Sequence, residues 1–224
     1  MKTISYEYFD CVICLDAELP DINVFEQLKN IPIFAADGAV FKLYELGVET
    51  SKIIGDLDTF DKSLNKNKIT KSKIIRISEQ DTNDFEKVLK YVIENNYKNC
   101  LILGINGGEY EHSLNNWSVF IKYNKKLNLC LYTENRYGIT IDSDTKIKLE
   151  LNEKVSLIPQ PEAIITTKNL RFNLNNEMLS LGIREGARNY CIEANQEVII
   201  LVHKGELCMF FDARLPKAPV PVII

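Results

Sequence analysis

The sequence predicts an α/β protein: an N-terminal, mainly parallel sheet with flanking helices, then a C-terminal antiparallel β-sandwich domain. Up to about residue 135, short apolar runs alternate with helix-like segments, a rhythm that implies right-handed crossovers between parallel strands. Beyond it, short period-two runs follow one another between turn residues, without long helices. Acidic residues also recur directly behind the apolar runs of the first half. That is where a parallel sheet binds its ligands, outside the carboxyl ends of its strands. The 224 residues suffice for two small domains, placed at 1–135 and 136–224.

The elements follow in order. "FDCVICLD" and "IPIFAADGA" are strand-like, with "VFEQLKN" a short helix between them. "VFKLYELG" is helical and stops on a glycine. "KIIGDLD" is the next strand, and the lysine-rich "KSLNKNKITKSK" reads as solvated surface before the strand "IIRIS". In "NDFEKVLKYVIENN", Phe85, Val88, Leu89, Val92 and Ile93 keep helical spacing, and Asn83 with Glu86 resembles a capping box. The strand "NCLILG" leads through "INGGEYEH" into the helix "LNNWSVFIKYN", where Leu114, Trp117 and Ile121 form one stripe. "LNLCLYT" closes the series. In the second half, "TKIKLELN", "VSLIP", "EAIITT", "LRFNLN", "YCIEAN", "EVIILVHKG" and "ELCMFF" read as short strands.

Composition excludes several classes. The chain is 46% hydrophobic and 26% charged, ordinary for a soluble domain. With a net charge of -4 nothing suggests a basic face, so no nucleic-acid partner is expected. No apolar run approaches the roughly 18 residues of a membrane span, and "MKTISYEYFD" lacks signal-peptide features, so a cytoplasmic location and no membrane partner are expected. Cys11 and Cys14 form a C-x-x-C, but no second such pair exists and the chain has only 2 histidines. Strand alternation would point them to opposite faces, so they read as buried thiols, like Cys100, Cys130, Cys191 and Cys208.

The chemistry concentrates at the strand ends. "GDLDT" sets Asp56 and Asp58 behind Gly55, Asp37 follows "IFAA", and Asp81 and Asp84 follow "IIRIS". A single acid there would be a turn residue or a helix-start acid favoured by the helix dipole. Several along one sheet edge make a negative pocket suited to a hard divalent cation. Gly104, Gly107 and Gly108 lie between a strand and a helix, where backbone N–H groups cradle phosphates, although such loops are common. His112, at the head of that helix, reads as a helix-start residue as readily as a ligand, and His203 reads as structural.

Taken together, "AADGA", "IIGDLDT", "QDTNDFEKVL" and "LGINGGEYEHSLNN" resemble the thiamine pyrophosphokinase (thiamine diphosphokinase) family in order and spacing over about residues 30 to 125. The β-rich tail is similar in texture. The resemblance implies an enzyme that transfers the diphosphate of ATP to the hydroxyl of thiamine, with Mg²⁺, leaving AMP. It also implies a homodimer with thiamine bound between subunits. By position, Asp37, Asp56, Asp58, Asp81 and Asp84 match the acids that organise Mg²⁺–ATP, and Gly104, Gly107 and Gly108 match the phosphate-side loop. Metal ligation is expected from Asp56, Asp58, Asp81 and Asp84, and catalytic work from Asp56, Asp81 and Asp84, of which Asp81 or Asp84 would take the hydroxyl proton. Substrate contacts are expected from Glu111, His112, Asn116, Phe172 and Asn189.

The chain departs from the family where the pattern Gly-Gly-Arg-x-Asp-His becomes Gly107-Gly108-Glu109-Tyr110-Glu111-His112. A carboxylate facing a triphosphate is unfavourable, so Glu109 is expected to point away or to meet a cation. Two other readings stay open: a diverged relative that binds a nucleotide or thiamine compound without turnover, and a haloacid-dehalogenase-type phosphatase. Against the phosphatase, the Asp pair follows a third strand instead of the first, and Thr59 directly follows the second Asp.

Overall fold

The computed structural model describes residues 1–69, 72–194 and 196–223. It divides into two compact units: Tyr8–Glu134, and Asn135–Ile224 together with Met1–Glu7. The first unit holds six parallel strands: β2 (Cys11–Cys14), β3 (Ile33–Ala36), β4 (Lys52–Gly55), β5 (Lys73–Arg76), β6 (Asn99–Leu103) and β7 (Asn128–Thr133). Between them lie α1 (Ile22–Gln27), α2 (Ala39–Glu45), α3 (Asp58–Lys62), α4 (Asp84–Glu94) and α5 (Tyr110–Tyr123). The spatial order β7-β6-β2-β3-β4-β5 sends the chain outward from β2 to β5 and then back across to β6. The order reverses between β2 and β6, and the carboxyl ends beside such a switch point form a binding crevice.

Every residue of β2, β3 and β6 is buried, which explains their unbroken apolar runs. Helix α4 packs on β3 and β4 through its buried stripe of Phe85, Val88, Leu89 and Val92. Each of those side chains contributes about 1.5–3 kcal/mol. Asn83 caps α4 by accepting the Glu86 N–H at 2.9 Å. The Glu86 carboxylate binds Lys122 Nζ at 2.6 Å, so only the Asn83 half of the capping-box pattern is used as written. In the lysine-rich connection a short 3₁₀ turn covers Lys66–Lys68, Leu64 is exposed, and Thr70 and Lys71 lie outside the described residues. All six cysteines are free and buried.

The second unit is built on two long antiparallel strands, β10 (Lys154–Lys168) and β13 (Glu197–Asp212). "VSLIP" and "EAIITT" are therefore one strand, as are "EVIILVHKG" and "ELCMFF". The pairing shifts register between Pro159 and Ala163, opposite Gly205, and such irregularities bend a strand without ending it. A Cβ on Gly205 would run into the Glu162 carbonyl, which is why a turn-like residue sits mid-strand. Along β13, β8 (Arg136–Ile141) pairs near its end and β9 (Thr145–Lys148) near its start. Along β10, β11 (Glu177–Ser180) and β12 (Gly186–Tyr190) pair at separate stretches. Leu157, Ile165, Val198, Ile200, Leu207, Met209 and Phe211 form the core. Residues 1–7, which the sequence reading leaves in the first domain, belong here: β1 (Lys2–Tyr8) runs parallel to β9, with β14 (Lys217–Ile223) on its other side. "LRFNLN" is a loop instead of a strand, because Thr167 Oγ1 and the side chain of Asn173 take its backbone N–H groups. "YCIEAN" contributes only the last residue of β12 and an isolated bridge at Cys191, and Asn195 lies outside the described residues.

Candidate active site

Asp37 follows β3 directly and Asp56 follows β4 directly, while Asp84 opens α4. One carboxylate oxygen from each lies within 4.8 Å of the others, a grouping able to hold a metal ion. Gly55 makes this possible. A Cβ there would stand 2.8 Å from Asp84 Oδ1 and 3.1 Å from the Asp37 Cβ, so the strand-ending glycine leaves room for the two acids.

Each carboxylate is differently held. Asp37 is buried and adopts a left-handed backbone with φ 38°. Its Oδ2 accepts the Thr59 N–H at 2.9 Å and its Oδ1 the Phe60 N–H at 3.0 Å, tying β3 to the start of α3. Asp56 Oδ1 accepts the Asp58 N–H, and Oδ2 accepts from Lys87 Nζ at 2.7 Å and Gln80 Nε2 at 3.3 Å. Asp84 Oδ1 accepts the Asp56 N–H at 3.3 Å and meets Lys87 Nζ at 3.2 Å. The side chain of Lys87 is only 1% exposed, so an ammonium sits buried between two of the three acids.

These contacts push the acids apart. The Lys87 bond holds the Asp56 carboxyl below its ordinary value, helped by the Asp58 N–H. Burial pushes Asp84 up, with the Asp56 and Asp37 charges adding to the effect and Lys87 opposing it. For Lys87 burial acts downward, but the two carboxylates outweigh it and the ammonium is held above its usual range.

The cluster opens into a cleft of about 390 Å³. Asp16 and Ala17 border it beyond β2, Gln80 and Asn83 before α4, and Gly108 and His112 at the head of α5. That volume is in the range of small-molecule sites. Lys42 holds Asp16 by an ion pair at 2.9 Å. Glu79 binds Lys90 Nζ at 2.8 Å, the Thr82 hydroxyl and the Asp81 N–H, which together lower its carboxyl to about 2.

Of the residues singled out in the sequence, Asp56, Asp84, Gly107, Gly108, His112 and Asn116 line this cleft, as does Glu109, and Asp37 joins the acid cluster. Asp58 and Asp81 are exposed and stand outside the cluster. Glu111 is exposed one residue into α5. Gly104 faces a separate pocket beside Glu18 and Tyr132. Gly104 and Gly107, both at positive φ, press against the Leu15–Glu18 backbone, where a Cβ would lie 2.6 Å from the Leu15 carbonyl and 2.8 Å from the Glu18 N. Glu109 turns toward His112, whose Nε2 is 3.2 Å from its Oε2. In the second unit, Asn189 is buried and clasps exposed Phe172, its Oδ1 accepting the Phe172 N–H at 3.0 Å and its Nδ2 donating to the Phe172 carbonyl at 2.8 Å.

The sequence reading missed Lys87, Asp16, Gln80 and Asn115, all of which line the cleft. For Lys87 a signal exists: it stands three residues after Asp84, the spacing of neighbours on one helix face.

Residues 26–131 match the family model described as thiamin pyrophosphokinase, catalytic domain. No curated protein sequence matches the chain. Among solved structures, thiamine pyrophosphokinase from Bacillus subtilis is similar with a TM-score of 0.71 and 22% identity, covering 91% of this chain and 100% of that one. The Geobacillus thermodenitrificans enzyme gives 0.72 at 20% identity, covering 92% and 98%. The Candida albicans enzyme gives 0.75 at 16% identity, covering 96% and 99%. At these identities the likeness is one of fold.

Proposed function

The chain belongs to the thiamine pyrophosphokinase family through its catalytic domain, residues 26–131, and from that premise we propose that it transfers the diphosphate of ATP to the hydroxyl of thiamine, giving thiamine diphosphate and AMP. The observation that carries the reading is the convergence of Asp37, Asp56 and Asp84 at strand ends, inside a cleft edged by a glycine-containing loop. The donor set is all oxygen and acidic, which fits Mg²⁺. When bound there, Mg²⁺ would neutralise phosphate charge and fix the triphosphate. Asp56 and Asp84 would hold it, with Asp58 and Asp81, exposed and outside the cluster, proposed as further carboxylates.

Transfer from ATP depends mostly on positioning and electrostatics. Asp37 contributes by anchoring α3, and with it Asp58. Gly107 and Gly108 leave the loop before α5 open to a phosphate. The proton of the attacking hydroxyl passes to a carboxylate of the 81–84 segment, Asp81 or Asp84. Glu111, His112 and Asn116 are assigned to the acceptor side, and Phe172 with Asn189 to a thiamine contact made within a homodimer. Light scattering should then report about twice the 25.7 kDa of one chain.

The test is one incubation of purified protein with ATP, MgCl₂ and thiamine, measuring AMP and thiamine diphosphate together. Equal amounts of both are expected, and none from Asp56→Asn. A second reading, a diverged binder, draws support from Glu109, a carboxylate on the cleft where the family motif has arginine. Thermal stabilisation by ATP or thiamine without AMP would favour it. Release of inorganic phosphate from ATP alone would point to a phosphatase instead.

A further inference from the structure

We propose that Lys87 is the built-in counter-ion of the acid cluster, and that it tunes the site to one divalent cation. The inference rests on the metal-site reading above. Three carboxylates, Asp37, Asp56 and Asp84, share the site, and a single buried ammonium sits among them. Fully ionised, the group carries three negative charges and one positive, a net charge of -2 that one divalent ion cancels. Without Lys87 the balance would be -3, which suits a trivalent ion or two smaller charges.

Geometry supports a lasting role for Lys87, not a stand-in that leaves when a metal arrives. Its side chain is 1% exposed although it borders the cleft, so its ammonium is held by protein groups rather than by water. Its bonds go to Asp56 Oδ2 and Asp84 Oδ1. Each acid keeps a second oxygen outside the lysine contacts, that of Asp56 accepting the Asp58 N–H at 3.2 Å, so a metal can bind the pair while Lys87 keeps its own bonds. Lys87 is thus a positioning residue: it fixes two carboxylates and sets the charge that they present. Asp37 is held instead by two amides of α3, which fix its carboxylate without neutralising it.

The charge state gives a test independent of turnover. A unit positive charge near the site opposes a trivalent ion by half as much again as a divalent one, since Coulomb energy scales with charge. Nucleotide-free protein would be titrated by calorimetry with MnCl₂ and, separately, TbCl₃. Binding assigned to the cluster is the part lost in Asp56→Asn. In Lys87→Met, the ratio of Tb³⁺ to Mn²⁺ affinity should rise by roughly tenfold or more over wild type. Lys87→Arg, which keeps the charge, should stay within about threefold of wild type. Asp84→Asn supplies a second variant that needs no lysine change: losing a negative charge should lower the ratio, whatever happens to absolute affinity.

A ratio unchanged in folded Lys87→Met overturns the proposal, and the metal reading stands. Should Lys87→Met fail to fold, a ratio unchanged in Asp84→Asn does the same. If wild-type protein binds neither ion at the cluster, both the proposal and the metal reading fall.

Discussion

Replacing Asp37 by alanine separates two roles that one carboxylate can play. Its oxygens accept the N–H groups of Thr59 and Phe60, at 2.9 and 3.0 Å, from a position only 4% exposed. Phe60 is buried, so its N–H would lose its partner without gaining water, a cost of about 1–3 kcal/mol. Thr59 is exposed and water replaces most of its bond. Alanine must also adopt the left-handed backbone of φ 38°, which adds about 1–2 kcal/mol. The sum is roughly 2–5 kcal/mol for Asp37→Ala. Asn tolerates the left-handed backbone and can still accept one amide, so Asp37→Asn should cost about half of that. For a chain of this size the alanine variant should melt about 4–20 °C lower. Scanning calorimetry in EDTA is the assay, because chelation removes any contribution from a bound ion. A melting point within about 2 °C of wild type, roughly 0.5 kcal/mol, would refute the capping argument and leave Asp37 as a ligand only.

Gly55→Ala should place a methyl group 2.8 Å from Asp84 Oδ1, costing about 1–3 kcal/mol in urea denaturation and weakening Mn²⁺ binding in the same protein. Acid titration should expose Glu79, whose carboxyl is lowered from 4.5 to about 2 mainly by Lys90. A depressed acid lends stability that is complete above 4.5 and is lost as pH falls toward 2, so Glu79→Gln should flatten the melting-point profile in that window. Asp84 has the opposite sign: its raised value favours the fold below 3.8 and that advantage disappears as pH rises. In EDTA at neutral pH, Asp84→Asn should therefore melt no lower than wild type, while the rise in melting point on adding MnCl₂ is lost. Glu109 faces His112 on the exposed rim, so Glu109→Ala should change ATP affinity by less than about tenfold, or roughly 1.4 kcal/mol, in equilibrium dialysis.

The sequence by itself determined the alternation of strands and helices, because burial on both faces of a parallel sheet forces unbroken apolar runs such as Cys11–Cys14 and Asn99–Leu103. It also determined that acids gather at strand ends, since β-strand periodicity and glycine stops locate those ends along the chain. Which acids meet was decided only in three dimensions. Asp56 and Asp58 are two residues apart, yet the left-handed turn at Leu57 sends one to Lys87 and the other to solvent. Asp84 joins Asp37 across the sheet because Gly55 yields the space, a fact about a gap that no local pattern records. Lys87 was hidden for a related reason. A lysine on an amphipathic helix ordinarily points to water, and here two carboxylates from different elements hold it inside. In the second unit the period-two pattern was legible, but the bent strands β10 and β13 read as several short ones, because a register shift interrupts the pattern and the ladder locally without ending either strand.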